Sequence, residues 1–291
     1  MRKTSTSRAW GKGIVLVVVS GLLAACATVN GPLPDAEPGS IALDTEGIDL
    51  EQYSSVTAQL DFEAGTAILP LNAISKSSPE IEALRIEAKR VLTDACLRKS
   101  GLPDVDWTSQ VDAVEEDRLY GGWSVSIATR YGLEVPDSVA SSTVAEYSSD
   151  ELRCLGSAKD EMEDLLKQID SVGLDWQVYL SSYDAVRASS EGKAAMAAAQ
   201  ACMTERGLKI DAESGFPEFD ASSAGDSEIN VRIAAAQATC NVETGAIQTL
   251  FDLTARYQAA LIDRNEAAAV ALSEEKAELM EAFRGIIEAD Q

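Results

Sequence analysis

The chain has 291 residues, of which 48 are acidic and 24 basic, for a net charge of −24 with no histidine at all. That acidity excludes nucleic acid as a natural partner, since a phosphate backbone is bound by Lys and Arg that displace its counterions. The missing histidine removes Ser-His-Asp and Cys-His catalysis together with His-ligated zinc, and the low aromatic content of 5 % favours close-packed helices over a β-sandwich.

The N-terminal stretch carries Arg2, Lys3, Arg8 and Lys12 and no acid. An apolar run from Gly13 to Leu23 follows, closed by Leu23, Ala24, Ala25 and Cys26. A basic region, a short apolar region and a small-residue site read as a secretory signal peptide over residues 1–25. The apolar run is about 11 residues, short of the roughly 20 that a helix needs to cross the hydrocarbon core. Leu-Ala-Ala-Cys at the end of such a run resembles the lipobox of bacterial lipoproteins. The resemblance implies diacylglycerol on the Cys26 thiol and cleavage before Cys26, hence an extracytoplasmic chain anchored to the cell membrane. Two or three acyl chains, at about 0.8 kcal/mol per buried CH₂, hold such a protein stably. Without residues 1–25 the chain retains 20 basic against 48 acidic residues, a net charge of −28.

Residues 26–52 hold Gly31, Pro32, Pro34, Pro38 and Gly39 among acidic residues, which predicts a flexible tether. A short strand is expected near 66–71, with Pro70 confining it to an edge. Ser78, Pro79 and Glu80 announce the first helix, a cap followed by proline in the first turn. Ile81, Leu84, Ala88, Leu92 and Cys96 then recur at helical spacing, and Gly101 and Pro103 stop the run. Residues 103–148 predict short helices and loops. Helical periodicity returns from about Asp150 to Ile169, breaks at Gly173, and resumes from Asp175 to Arg206. After a loop at 207–226, one long amphipathic helix is expected from Ser227 to Ile287, with Gly245 its sole evident interruption. Its apolar positions Leu272, Leu279, Phe283 and Ile286 either pack against residues 174–206 or project as a stripe suited to a partner's groove.

Two segments match each other: Cys96-Leu-Arg-Lys-Ser-Gly101-Leu102 and Cys202-Met-Thr-Glu-Arg-Gly207-Leu208. Each places a cysteine in the last turns of a helix and a glycine where a left-handed residue ends it. Each is followed by a second helix with one cysteine, Cys154 and Cys240. Four cysteines besides Cys26 in an exported chain imply two disulfides. Three connectivities exist, and the repeat favours Cys96–Cys154 with Cys202–Cys240, each stapling one helical unit. Loops of about 59 and 39 residues would contribute roughly 4 kcal/mol apiece in the chain-entropy model. A four-cysteine zinc site lacks any C-x₂-C pair, so no metal and no cofactor is expected.

The order Gly65-Thr-Ala-Ile-Leu-Pro-Leu-Asn72, Cys96-Leu-Arg-Lys-Ser-Gly-Leu102, Arg118-Leu-Tyr-Gly121 and Arg130-Tyr-Gly132 resembles a group of actinobacterial lipoproteins and secreted proteins with "LPLD", "C-M-x-x-x-G-F" and "Y-G" motifs. It departs from that group at Asn72, Leu97 and Leu102, and spans about residues 62–135. The resemblance implies the address and the disulfide architecture and no activity.

Among chemistry-bearing groups, Asp104 and Asp106 beside Trp107 could form a carboxylate pair or sugar site, and a solvated loop with a packing Trp explains them as well. Tyr120-Gly-Gly-Trp123 and Arg130-Tyr131-Gly132 could line a ligand groove or simply pack the irregular segment. Ser181, Ser182, Ser189 and Ser190 lack a base and read as helix-surface positions. The expectation is a mostly α, disulfide-stapled chain of helical repeat units: a first Cys-pair unit over 53–173 and a second over 174–291 with the long C-terminal helix. It is expected to be no enzyme but an interaction or accessory protein of the cell envelope, with membrane lipid at Cys26 and a protein partner. A solute-binding lipoprotein, or a wall-active enzyme using carboxylates, are the alternatives.

Overall fold

The computed structural model describes residues 43–105, 107, 116–133, 147–169, 173–212, 214–218 and 227–289. Leu23, Ala24, Ala25 and Cys26, and most of the 26–52 tether, lie outside the described residues. Among the described residues there are eight α-helices and one two-stranded sheet. They are α1 (Pro79–Lys99), α2 (Val125–Tyr131), α3 (Ser149–Ile169), α4 (Leu174–Ala188), α5 (Ser190–Glu205), α6 (Ser227–Glu243), α7 (Ala246–Arg264) and α8 (Glu266–Glu288). Short 3₁₀ turns occupy Leu50–Tyr53 and Pro70–Ala73.

The sheet pairs β1 (Gln59–Asp61) with β2 (Thr66–Ile68) antiparallel, Leu60 opposite Ala67. Asp61 organises the turn: its Oδ1 accepts from the Glu63 and Ala64 N–H groups, and its carbonyl accepts from Gly65 at φ +70°. The strand expected over 66–71 ends at Ile68, because Pro70 cannot donate to a ladder and instead opens the 3₁₀ turn.

α1 begins as the sequence predicts, with Ser78 Oγ accepting from Ile81 N–H and Pro79 in the first turn. Its end and that of α5 are the same device built twice. Gly101 and Gly207 take φ of +72° and +81°. The Leu102 N–H reaches Leu97 O and Gly101 N–H reaches Arg98 O, as Leu208 N–H reaches Met203 O and Gly207 N–H reaches Thr204 O. This is the paired 6→1 and 5→2 bonding of a Schellman cap, which satisfies carbonyls that a helix end leaves open. One turn before each cap sits a bridged cysteine: Cys96–Cys154 joins α1 to α3, and Cys202–Cys240 joins α5 to α6, at Cα separations of 5.5 and 5.6 Å. The disulfides pair as the repeat favours.

Two helical stretches are broken once more each than the sequence predicts. Between Asp175 and Arg206 the chain turns at Ser189, extended at ψ 154°, whose Oγ accepts from Gly192 N–H to start α5. A β-carbon at Gly192 would lie 2.0 Å from Val186 O, so the corner requires glycine. The helix expected from Ser227 to Ile287 is three helices. Gly245 (φ +67°) separates α6 from α7, and Asn265 separates α7 from α8. Asn265 ends α7 by donating its Nδ2 to Leu261 O at 2.7 Å while its own carbonyl accepts from Ala269 N–H.

The two Cys-pair segments share their core. Leu279 and Phe283 of α8, both fully buried, pack with Ile81 and Ala88 of α1 and Met162 of α3, flanked by Leu84, Leu92, Leu165 and Ile286. Nearer its start, α8 places Ala269 and Leu272 against Leu71, Leu174, Val178 and Leu261. The stripe Leu272, Leu279, Phe283, Ile286 is therefore covered within the chain. Only its first residue meets the 174–206 region. The rest close over α1 and α3, and no projecting stripe is left for a partner's groove. A smaller cluster of Ala199, Met203, Cys240 and Ala246 surrounds the second disulfide. Among the described residues no helix is long and apolar enough to cross a membrane.

Candidate functional site

The segment from Glu116 to Leu133 holds the aromatic–glycine motifs, and one buried carboxylate organises it. The Glu116 side chain is 1 % exposed. Its Oε1 accepts from the Trp123 and Ser124 N–H groups, both at 3.0 Å, and its Oε2 accepts from Arg118 Nε at 2.6 Å. Arg118 in turn donates through Nη1 to Leu133 O. Asp117 ties the same turn to the hairpin: its N–H donates to Gly65 O, and its Oδ2 accepts from Ala67 N–H. Two backbone amides and a guanidinium thus converge on one side chain and fix the turn around it.

Within this frame Trp123 is fully buried, with Nε1 donating to Asp117 O. Tyr120 is 6 % exposed, its hydroxyl 2.7 Å from Thr254 Oγ1. Burial pushes the Tyr120 phenol well above its ordinary value. The two rings meet Phe251 edge-on, so they serve as core, not as the walls of a groove. Arg130 covers the Tyr131 ring at 4.9 Å.

Other sequence candidates resolve into structural parts. Trp107 Nε1 donates to both oxygens of Asp94, and Asp104 faces Arg98 at 3.6 Å. Asp106 lies outside the described residues. Ser181 and Ser182, expected on a helix surface, are buried. Ser181 Oγ accepts from Leu43 N–H, pinning the start of the described chain to α4, while Ser182 donates to Tyr179 O. Ser189 is a helix cap. Among the described residues no group of three or more Cys, Asp or Glu is placed to hold a metal ion.

The arrangement that sequence reasoning missed is a cavity of about 450 Å³ between the hairpin, the 72–77 strand of chain, α1 and α3. Lys76, Glu82, Arg85, Glu116 and Asp117 line it together with Asn72, Ser77 and the apolar Ile81 and Leu166. Lys76 meets Glu275 at 3.2 Å, Arg85 makes a two-pronged contact with Glu82, and Glu116 meets Arg118, while Asp117 leaves the lining with three acids against two bases. Beneath it Lys276, 8 % exposed, reaches from α8 to donate to the carbonyls of Asn72 and Ala73 at 2.9 and 3.2 Å. No local signal marks these residues, since Glu115-Glu116-Asp117 reads as an exposed acidic run and Lys276 as one charge of a solvated helix face.

Fold and cross-links thus define a mostly α-helical domain with two inter-helix disulfides at repeat-equivalent positions. No protein-family model, no curated protein sequence and no solved structure matches the chain.

Proposed function

We propose that the chain is an extracytoplasmic lipoprotein, cut before Cys26 and held at the cell membrane by acyl chains on that residue. Its helical ectodomain works by binding a partner in the envelope and carries out no turnover of its own. The observation that supports this most is the pair of inter-helix disulfides, a kind of cross-link that persists in oxidising compartments. It stands with the Leu23-Ala24-Ala25-Cys26 sequence at the end of a short apolar run. Leu43 lies 17 residues beyond Cys26, a span of up to about 60 Å, so the ectodomain has reach above the bilayer. The binding reading also draws on the missing histidine and on serines whose hydroxyls are committed to caps and backbone contacts.

Metabolic labelling with a fatty-acid analogue tests the anchor. The wild-type chain takes up label, and Cys26→Ser remains unlabelled and either unprocessed or shed. Equal labelling of the two chains refutes the anchor. Crosslinking in intact cells tests the partner: a discrete adduct supports binding, and a chain that crosslinks to nothing while correctly anchored argues against it.

A further inference from the structure

The first described residues lead onto the helical domain across its surface, and few contacts hold them there. From Leu43 to Thr57 no residue is buried, and Ala58 is the first buried residue of the described chain. Leu43 and Ile48 lean, half-buried, on the cluster of Leu174, Val178, Leu261 and Leu272. Among the described residues, one side chain of α4 and two of α7 tie the segment down. Leu43 N–H donates to Ser181 Oγ at 2.9 Å, and the Tyr53 hydroxyl donates to Asp263 Oδ2 at 3.1 Å. Arg264 Nη1 donates to the carbonyls of Asp44 and Glu46 at 3.3 and 3.2 Å.

Other hydrogen bonds of the segment are internal and do not hold it to the domain. Asp44 Oδ1 accepts from Glu46 N–H, Asp49 Oδ1 accepts from Glu51 N–H, and Val56 N–H closes a turn onto Tyr53 O. Charge works against closure as well. The segment carries Asp44, Glu46, Asp49 and Glu51 and no base, in a chain of net charge −24, and like charge weakens a compact arrangement. At its far end the attachment is firm: Ala58 N–H donates to Asp252 Oδ1, and Ala58 O accepts from Gln248 Nε2, immediately before β1. A stretch with little buried apolar surface and exposed hydrogen bonds opens at a lower free energy than the core it lies on.

We propose that residues 43–57 are a releasable strap, which opens about Ala58 while the helices stay folded and so gives the domain two distances from its anchor. Closed, the domain is fixed from Leu43, 17 residues after Cys26, a reach of up to about 60 Å. Open, it is fixed from Ala58, 32 residues after Cys26, and the reach rises to about 110 Å. A pull along the tether favours the longer form. The reach rests on the proposed anchor at Cys26, whereas the release is a property of the domain, so fatty-acid labelling tests the first and leaves the second untouched.

The test is hydrogen exchange of the full chain in detergent, read by mass spectrometry on peptides from 43–57, α1, α3 and α7, with and without dilute urea. Isolated turns this short give no lasting protection once released. The strap is expected to exchange faster than the helices and with little response to urea, because its opening exposes little surface. Arg264→Ala speeds strap exchange about tenfold or more, as loss of a charged donor does, and leaves α1 and α3 unchanged. Tyr53→Phe, a milder change at the surface, acts in the same direction. Strap exchange that follows the urea response of α7 overturns the proposal, since the strap then opens only with the whole domain. So does a wild-type strap without protection, which has no closed form to leave. Variants that leave strap exchange at the wild-type rate, or that speed strap and helices alike, overturn it too.

Discussion

Truncating Phe283 decides whether α8 is a closing element of the core or an arm held out for a partner. Its ring is fully buried among Ile81, Ala88, Met162 and Leu279, residues drawn from α1, α3 and α8. Phe283→Ala removes that ring from a close-packed site, and such changes cost about 3–5 kcal/mol through lost transfer energy and the cavity left behind. For a chain of this size that corresponds to a fall in melting temperature of roughly 6–20 °C, taking about 2–4 °C per kcal/mol. The assay is urea unfolding of the full chain, followed by far-UV circular dichroism. A double variant with Ile81→Ala carries the argument further, because residues in one cluster share the cavity and their costs depart from additivity by about 0.5–3 kcal/mol. A loss below about 1 kcal/mol for Phe283→Ala, with additive behaviour beside Ile81→Ala, would refute the packing of α8 on α1.

Lys276→Met keeps the aliphatic stem but leaves the Asn72 and Ala73 carbonyls without their ammonium donor. The expected cost is about 2–3 kcal/mol of unfolding free energy measured by urea titration, and a neutral result would show that the contact contributes nothing. Replacing Cys96 and Cys154 together by serine, or Cys202 and Cys240 together, removes loops closed over 58 and 38 residues. Each pair is worth roughly 4 kcal/mol by chain entropy, and non-reducing peptide mapping of the wild type should recover these two pairs, not Cys96 with Cys202. Burial raises the phenol pKa values of Tyr120 and Tyr179 above the ordinary 10.0. The unfolded chain therefore loses its tyrosine protons first, and stability present below pH 10 declines as pH rises above it. Urea midpoints measured between pH 8 and 11 should fall above pH 10 for the wild type and fall less steeply for Tyr179→Phe. A flat alkaline limb for the wild type would contradict that burial.

Local chemistry made part of this fold readable in advance. Ser78-Pro79 and the glycines at 101, 173, 207 and 245 each act within a turn of themselves, so helix starts and stops at those points follow from sequence. The duplicated cysteine–glycine element predicted the disulfide partners by repetition, since each copy is followed by a helix with one cysteine. The break at Asn265 was not visible, because it depends on a side-chain amide reaching Leu261 O, and asparagine at a helix surface gives no such sign. The corner at Ser189 was hidden among small residues that suit a helix interior equally well. Periodicity identified the apolar stripe of α8 correctly but not its destination, since helical spacing says which face is apolar and nothing about which distant helix covers it. The cavity was illegible for a related reason. Its walls come from five places in the chain, and Glu116 becomes a buried hub only because Trp123, Ser124 and Arg118 fold around it.

The two bridges use four of the chain's five cysteines. The number of reactive thiols on the folded protein is therefore set by Cys26 alone. Treatment of the intact, unreduced chain with a maleimide becomes a one-bit readout of biogenesis. On the folded, bridged chain one equivalent of label would report a bare Cys26 sulfur, and none would report the capped sulfur that the proposed lipidation predicts. The bridged cysteines add no background to the count, so the proposed modification of Cys26 can be scored by stoichiometry on a single blot.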